Sequence, residues 1–428
     1  MGNHLIHHIG ELMTLEPLVR ERRYFGIQPS DLGLVPRAWL AITDGTVVEY
    51  GSDTPPERFR SWPSFDAKGA LVTPGLVDCH THPIFGGDRT HEFAARLNGS
   101  TYQQIAAQGG GIKSTIRATR QADSETLFDR CLKHARDYLQ WGVTSFEAKS
   151  GYGQSVEEEL RLLRILQQVK LACPQTVAIT CLALHDLPQD ISDKAEFIRQ
   201  MSEDLLPTVA REKLADWVDA FVENGYFSVV ETEALVQAAQ QLGLGLRLHA
   251  DEFADSGAAA AAARWGAVSA DHLQKASDDG LRAMSQAGTV AVLLPGTSFY
   301  TKIPYAQAER FRTAGCTIAV ASDFNPGSCY IANLPFAAGL AALYCGLSVA
   351  ETLVAVTWNA ARALRLETHK GALVPGYDGD LVIHSMERHE QWIADLGQNR
   401  PQAVMIAGDI VWEQRVTKPA WQRSHCQV

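Results

Sequence analysis

Between residues 71 and 365, short apolar segments alternate with helical ones, and this alternation constrains the fold more than any other feature of the chain. "TSFEAKSGYG" is followed by "SVEEELRLLRILQQVK", "VAITCLALH" by "KAEFIRQMSEDLLPTVARE", and "LGLRLHADEF" by "DSGAAAAAARWG". Strand and helix in turn imply parallel strands joined by crossover helices. A region of that length closes into a (β/α)8 barrel or opens into a doubly wound sheet, and periodicity alone does not separate the two. The flanks read differently. "AWLAITDGTVVEYGS" has an Asp-Gly turn at Asp44 and Gly45 between two apolar runs, a hairpin signal, and "GALVPGYDGDLVIHSM" and "PQAVMIAGDIVWEQ" are again short strands broken by Gly, Asp and Pro. We therefore expect a composite β domain from residues 1–70 and 366–428 beside a catalytic domain over 71–365.

A chain of 428 residues with 46% hydrophobic content can bury a core for both units. Its net charge of −11 is spread along the chain and no basic block appears, which argues against nucleic acid as a partner. The N-terminus lacks the regions of a secretory signal, and no window offers about 18 uninterrupted apolar residues. The expectation is a cytoplasmic protein with no membrane partner. Eight cysteines without a Cys-x-x-Cys pair fit reduced thiols. His4, His7 and His8 read as a frayed end rather than as a metal site.

The chemistry-bearing residues fall where strands should stop. In "LVDCHTH" His80 and His82 lie two apart, so a strand projects both from one face, with Asp78 behind them. His249 ends "LGLRLH" with Glu252 three residues on, His272 ends "GAVSADH", His185 ends "VAITCLALH", and Asp323 follows "CTIAVAS". In a closed barrel all C-terminal strand ends meet on one face. His80, His82, His249 and Asp323 would then supply three imidazoles and a carboxylate, a set suited to a single divalent Zn or Fe ion with a position left for water. Lys149 raises the alternative of a carbamylated lysine bridging two metals; a single ion with Glu252 as proton shuttle is preferred. Gly151 and Gly153 belong to no complete dinucleotide-binding loop.

"TPGLVDCHTH", the strand-end His249 and "ASDFNPGS" resemble the metal-dependent amidohydrolase superfamily. The segments "FGGDRTHEFAARLNGSTYQQIAAQGGGIKSTIRATR", "EAKSGYG", "LHADEF", "SADHL" and "SDFNPGS" are similar to the branch of it that opens an imidazolone ring in histidine degradation. The resemblance implies a (β/α)8 TIM-like barrel with a small discontinuous β-sandwich built from both termini. It also implies hydrolysis of 4-imidazolone-5-propanoate to N-formimidoyl-L-glutamate. Metal ligands fall by its pattern on His80, His82, His249 and Asp323, and substrate contacts on Arg89, Tyr152, His185, Glu252, Asn325, Gly327 and Ser328. Some members carry Gln at the Glu252 position. Asp323 or Glu252 would accept a proton from water, with Glu252 better placed to carry it to the leaving nitrogen. His272 and His185 would polarise the carbonyl or hold the ring, and Arg89, or Arg96 if the loop folds otherwise, would hold the propanoate. A cyclic deaminase of guanine or cytosine type would share the ligands but release ammonia. A barrel scaffold that had lost its metal should lack ligands, and none is missing; a metal-storage protein would not need the open position. The expected partner is a small-molecule substrate, and exposed barrel helices would also allow a homodimer.

Overall fold

A computed structural model describes residues 2–99, 104, 109–188, 191–398 and 400–414. Residues 100–103 and 105–108, inside the long segment that carries the resemblance, and Cys426 lie outside the described residues.

The N-terminal strands are β1 (Asn3–Met13), β2 (Leu34–Thr43), β3 (Thr46–Ser52), β4 (Ser64–Asp66) and β5 (Leu71–Pro74). The barrel strands follow as β6 (Leu76–Asp78), β7 (Val143–Lys149), β8 (Thr176–Leu184), β9 (Trp217–Val222), β10 (Gly245–Ala250), β11 (Ser269–His272), β12 (Val290–Leu293) and β13 (Ile318–Val320). The chain ends with β14 (Leu381–Ile383), β15 (Ala403–Ile406) and β16 (Asp409–Glu413).

Strands β6 to β13 pair in chain order, all parallel, so of the two α/β arrangements the closed barrel is the one adopted. Closure is made just past the first and last strands. Thr81 bridges Phe324 in parallel, His82 N donates to Phe324 O at 2.8 Å, and Asp323 N donates to His80 O at 3.1 Å. The same contacts draw the two ends of the chemistry-bearing sequence, some 240 residues apart, onto one rim. Strands such as β7 and β12 are buried throughout, because helices cover one face and packed side chains fill the other. The covering helices start where polar caps permit. Ser155 accepts from Glu158 N ahead of the helix Val156–Ala172, and Ser228 and Ser348 each form a reciprocal capping box with a Glu three residues on.

The other eight strands come from both termini, in the order β16-β15-β14-β5-β1-β2-β3 with β4 on β1. Asp44 and Gly45, both at positive φ, make the expected hairpin turn between β2 and β3. Ile6, Ile9, Leu40 and Ile42 from one half share a core with Leu381, Ile383 and Met405 from the other. Two details differ from expectation. Leu71–Pro74, read as the start of the barrel, pairs instead with β1 and β14; the chain crosses into the barrel at Gly75, where a Cβ would collide with Thr144. The N-terminus is also not frayed, because β1 is a central strand that pairs with β2, β4 and β5, and His4 faces Ile42 in that ladder. Among the described residues seven cysteines are free, and no helix is long and apolar enough to cross a membrane.

Candidate active site

At the C-terminal rim of the barrel three ring nitrogens point at one another. His82 Nε2 lies 3.2 Å from His80 Nε2 and 3.4 Å from His249 Nε2. Asp323 Oδ1 stands 3.5 Å from the Nε2 of both His80 and His82. Burial holds His80 and His82 well below the ordinary imidazole range, so each offers a lone pair rather than a proton. Burial likewise pushes Asp323 up to about 6, against the hydrogen bond that Thr297 Oγ1 donates to its Oδ2. Asp323 (φ 53°) and His272 (φ 80°) hold left-handed backbone, which residues with a Cβ adopt uncommonly, Asp and His more readily than most.

Behind the imidazoles runs a wholly buried ionic layer, most of which sequence reasoning passed over. His80 Nδ1 donates to Asp271 Oδ2 at 2.6 Å, and His249 Nδ1 is 3.0 Å from Asp219 Oδ2. Lys149 Nζ donates to Asp219 Oδ2 at 2.7 Å and to Glu147 Oε1 at 2.9 Å. Arg247 Nε lies 2.9 Å from the same Glu147 oxygen, and its Nη2 is 3.3 Å from Asp271 Oδ2. Burial alone would raise the Asp219 carboxyl, but His249 and Lys149 hold it well below the usual range. The bridging carbamate considered for Lys149 does not fit: its Nζ sits between two carboxylates, where an ammonium belongs. The signal for this layer was present in the sequence as single charged residues inside otherwise apolar strands, such as Asp219 in β9 and Arg247 in β10.

A cavity of about 1320 Å³ opens over the cluster, and every residue named from the sequence for substrate contact lines it. The His185 ring stacks on His82 with centroids 5.5 Å apart, and its Nδ1 is 2.9 Å from Gly151 O. Burial takes His185 down to about 3, so it is neutral; a carbonyl only accepts, so Nδ1 carries the proton and Nε2 is left as an acceptor. Gly151, at φ 110°, has no room for a Cβ, which would lie 3.0 Å from that Nδ1. Tyr152 packs 5.1 Å from His185. Glu252 Oε2 is 3.7 Å from His272 Nδ1; burial, with Asp323 and Glu223 nearby, pushes its carboxyl well above the usual range.

Also lining the cavity, Arg89 donates from Nε to Glu92 Oε2 at 2.9 Å, and its guanidinium lies so close to Gly327 that a Cβ there would overlap it. Arg96 Nη2 donates to Gly327 O at 3.2 Å, fastening the same loop from behind. Asn325 commits its side chain inside the loop: Oδ1 accepts from Gly327 N at 2.9 Å and Ser328 N at 2.7 Å, and Nδ2 donates to Asp323 O at 2.8 Å.

A sequence model of the amidohydrolase family matches residues 71–411. An imidazolonepropionase from Symbiobacterium thermophilum is 43% identical over 392 residues, covering 90% of this chain and 91% of that protein. One from Geobacillus kaustophilus is 39% identical over 401 residues, covering 92% and 93%. Among solved structures, an adenosine deaminase from Xanthomonas campestris with bound zinc superposes with a TM-score of 0.71 at 18% identity, covering 97% of this chain and 94% of that one. A triazine hydrolase superposes with a TM-score of 0.72 at 14% identity, covering 96% and 95%. At such identities the structural likeness speaks to the fold.

Proposed function

The chain belongs to the amidohydrolase family and, within it, to the imidazolonepropionases, hydrolases of a ring C–N bond in histidine degradation, and from that premise we propose how its residues carry the reaction. Water adds to the ring carbonyl of 4-imidazolone-5-propanoate, the carbonyl carbon parts from the ring nitrogen, and the nitrogen takes a proton to leave N-formimidoyl-L-glutamate.

The observation that carries the assignment is the trio of Nε2 atoms of His80, His82 and His249 within 3.4 Å of their neighbours, closed by Asp323. At that distance either one Nε2 carries a proton toward its neighbour or a cation lies among the lone pairs, and the carboxylates behind the Nδ1 atoms of His80 and His249 favour the lone pair at Nε2. The charges agree, since Glu147, Asp219, Asp271 and Asp323 surround the cluster with four carboxylates against the two cations of Lys149 and Arg247. One divalent ion, Zn or Fe, restores the balance. When bound, such an ion supplies an acidified water at neutral pH and polarises the carbonyl.

The chain's own side chains do the rest. Glu252, beside His272 and facing Asp323, takes the proton from water and passes it to the ring nitrogen; its raised pKa suits a group that must also give a proton up. His185 accepts from a ring N–H through Nε2, so it holds the ring rather than polarising the carbonyl, and His272 is the neutral imidazole left on the carbonyl side. Arg89, with Gly327 and Ser328 at the loop, receives the propanoate. The likeness to a deaminase rests on fold alone and favours no second reading. A cytoplasmic setting and the homodimer that exposed helices permit belong to the same proposal. The test is to measure bound metal in the purified protein and to follow loss of imidazolone absorbance with and without chelator. About one Zn or Fe per chain, with activity lost on chelation and regained with metal, supports the proposal; full turnover by rigorously metal-free protein overturns it.

A further inference from the structure

The three converging imidazoles are not held alike. His80 is anchored from behind by the hydrogen bond its Nδ1 donates to Asp271, while Asp219 accepts one hydrogen bond through Oδ1, from the His249 backbone N at 3.1 Å, and sets Oδ2 in close polar contact with the ring, 3.0 Å from Nδ1. Neither His249 Nδ1 nor His82 Nδ1 completes a hydrogen bond among the described residues, but a carboxylate oxygen stands 3.0 Å from His249 Nδ1, whereas the His82 ring is set by stacking on His185 at an interplanar angle of 21°. The two anchoring carboxylates are themselves fixed. Lys149 reaches Asp219 from β7, and Arg247 reaches Asp271 from β10 while donating to the carbonyls of Cys79 and Ala363. Thr180 Oγ1 donates to Glu147 at 2.5 Å and so steadies the carboxylate that Lys149 and Arg247 share.

We propose that Asp271 and Asp219 are positioning residues that fix His80 and His249 as Nε2 ligands, that Lys149 and Arg247 hold those carboxylates in place, and that His82 is the one imidazole ligand free to adjust. The physical reason is tautomer choice. An imidazole paired with a carboxylate must donate from that nitrogen, which leaves the opposite nitrogen's lone pair for a cation and makes it more basic. Ions of opposite sign in a fully buried layer cannot rotate away without stranding a charge, so the arrangement persists when the metal leaves. His82, with nothing behind its Nδ1, can turn its ring as water and substrate exchange at the open side.

The inference rests on the metal site proposed above, and two measurements separate its failure from the failure of that site. The first is the Zn dissociation constant, by competition with a chromophoric chelator, for the wild type, Asp271→Asn and Asp219→Asn. An asparagine can present its NH2 group to the ring and favour the wrong tautomer, so each variant should bind Zn roughly 10- to 100-fold more weakly. Substrate KM at saturating metal should stay near wild type. Zn binding by the wild type with an unchanged constant in both variants overturns the inference; no Zn binding by the wild type overturns the site itself. The second uses the metal-free wild-type protein, and so does not depend on the variants folding. Nitrogen-15 histidine spectra should show His80 and His249 protonated at Nδ1 and resistant to exchange, with His82 in mixed or exchanging form. Finding His80 and His249 protonated at Nε2 would equally overturn the inference.

Discussion

Glu252 and Arg89 both line the cavity, and each leads to a different measurable loss. Glu252→Ala removes a carboxyl 3.7 Å from His272, so kcat should fall by on the order of 10²- to 10⁴-fold while metal content, read by elemental analysis, stays intact. Glu252→Gln should cost less if hydrogen bonding to the ring matters more than proton transfer. Near wild-type kcat in the Ala variant would move the shuttle to Asp323 or His272. Arg89 is already paired with Glu92, so substrate meets an oriented guanidinium rather than a mobile one. Arg89→Leu should lower kcat/KM for the propanoate substrate by roughly two to three powers of ten, the usual consequence of truncating one partner of a buried charge pair. An imidazolone lacking the propanoate should be spared. An equal fall on both compounds would mean that Arg89 holds the loop and that the carboxylate binds elsewhere.

At the scale of elements, the short loop after β13 carries the proposed ligand Asp323 and the Gly327 and Ser328 proposed to receive the propanoate, and a single side chain ties these together. Asn325 accepts from three backbone N–H groups, of Gly327, Ser328 and Cys329, and donates to the Asp323 carbonyl, doing within a short loop what a longer turn would do with backbone alone. Asn325→Ala strands those donors, so we expect a loss of about 1–3 kcal/mol in stability, read by urea unfolding, together with a raised KM. A raised KM without lost stability would point to direct contact with substrate instead. The sequence "SDFNPGS" marked this loop as a turn beside a ligand, but that Asn325 spends its polar atoms inside the turn follows only from the geometry.

For the whole molecule, buried histidines away from the site add to the acid sensitivity expected of the fold. His384, in the terminal β domain and hydrogen-bonded to Thr73 Oγ1 at 2.9 Å, is drawn by burial from 6.5 down to about 3. Between those values the unfolded chain binds a proton that the folded chain refuses, so the stability tied to this group is complete above pH 6.5 and is lost as the pH falls through the window. Urea midpoints compared at pH 7.5 and 5 should fall less for His384→Gln than for the wild type; equal falls would place the acid sensitivity in other groups. The alternation of strands and helices fixed the fold class, and the strand-end positions of His80, His82, His185, His249, His272 and Asp323 pointed to the proposed site, because local period and strand termination are written in the order of residues. The sequence did not contain the choice of a closed barrel, which depends on Thr81 meeting Phe324 across the whole chain, nor the entry of Leu71–Pro74 into the terminal sheet. It did not contain the layer of Glu147, Lys149, Asp219, Arg247 and Asp271 either. A lone charged residue in an apolar strand has no meaning until a partner strand brings the opposite charge, and only closure of the barrel does that, at a place where neither charge can return to water.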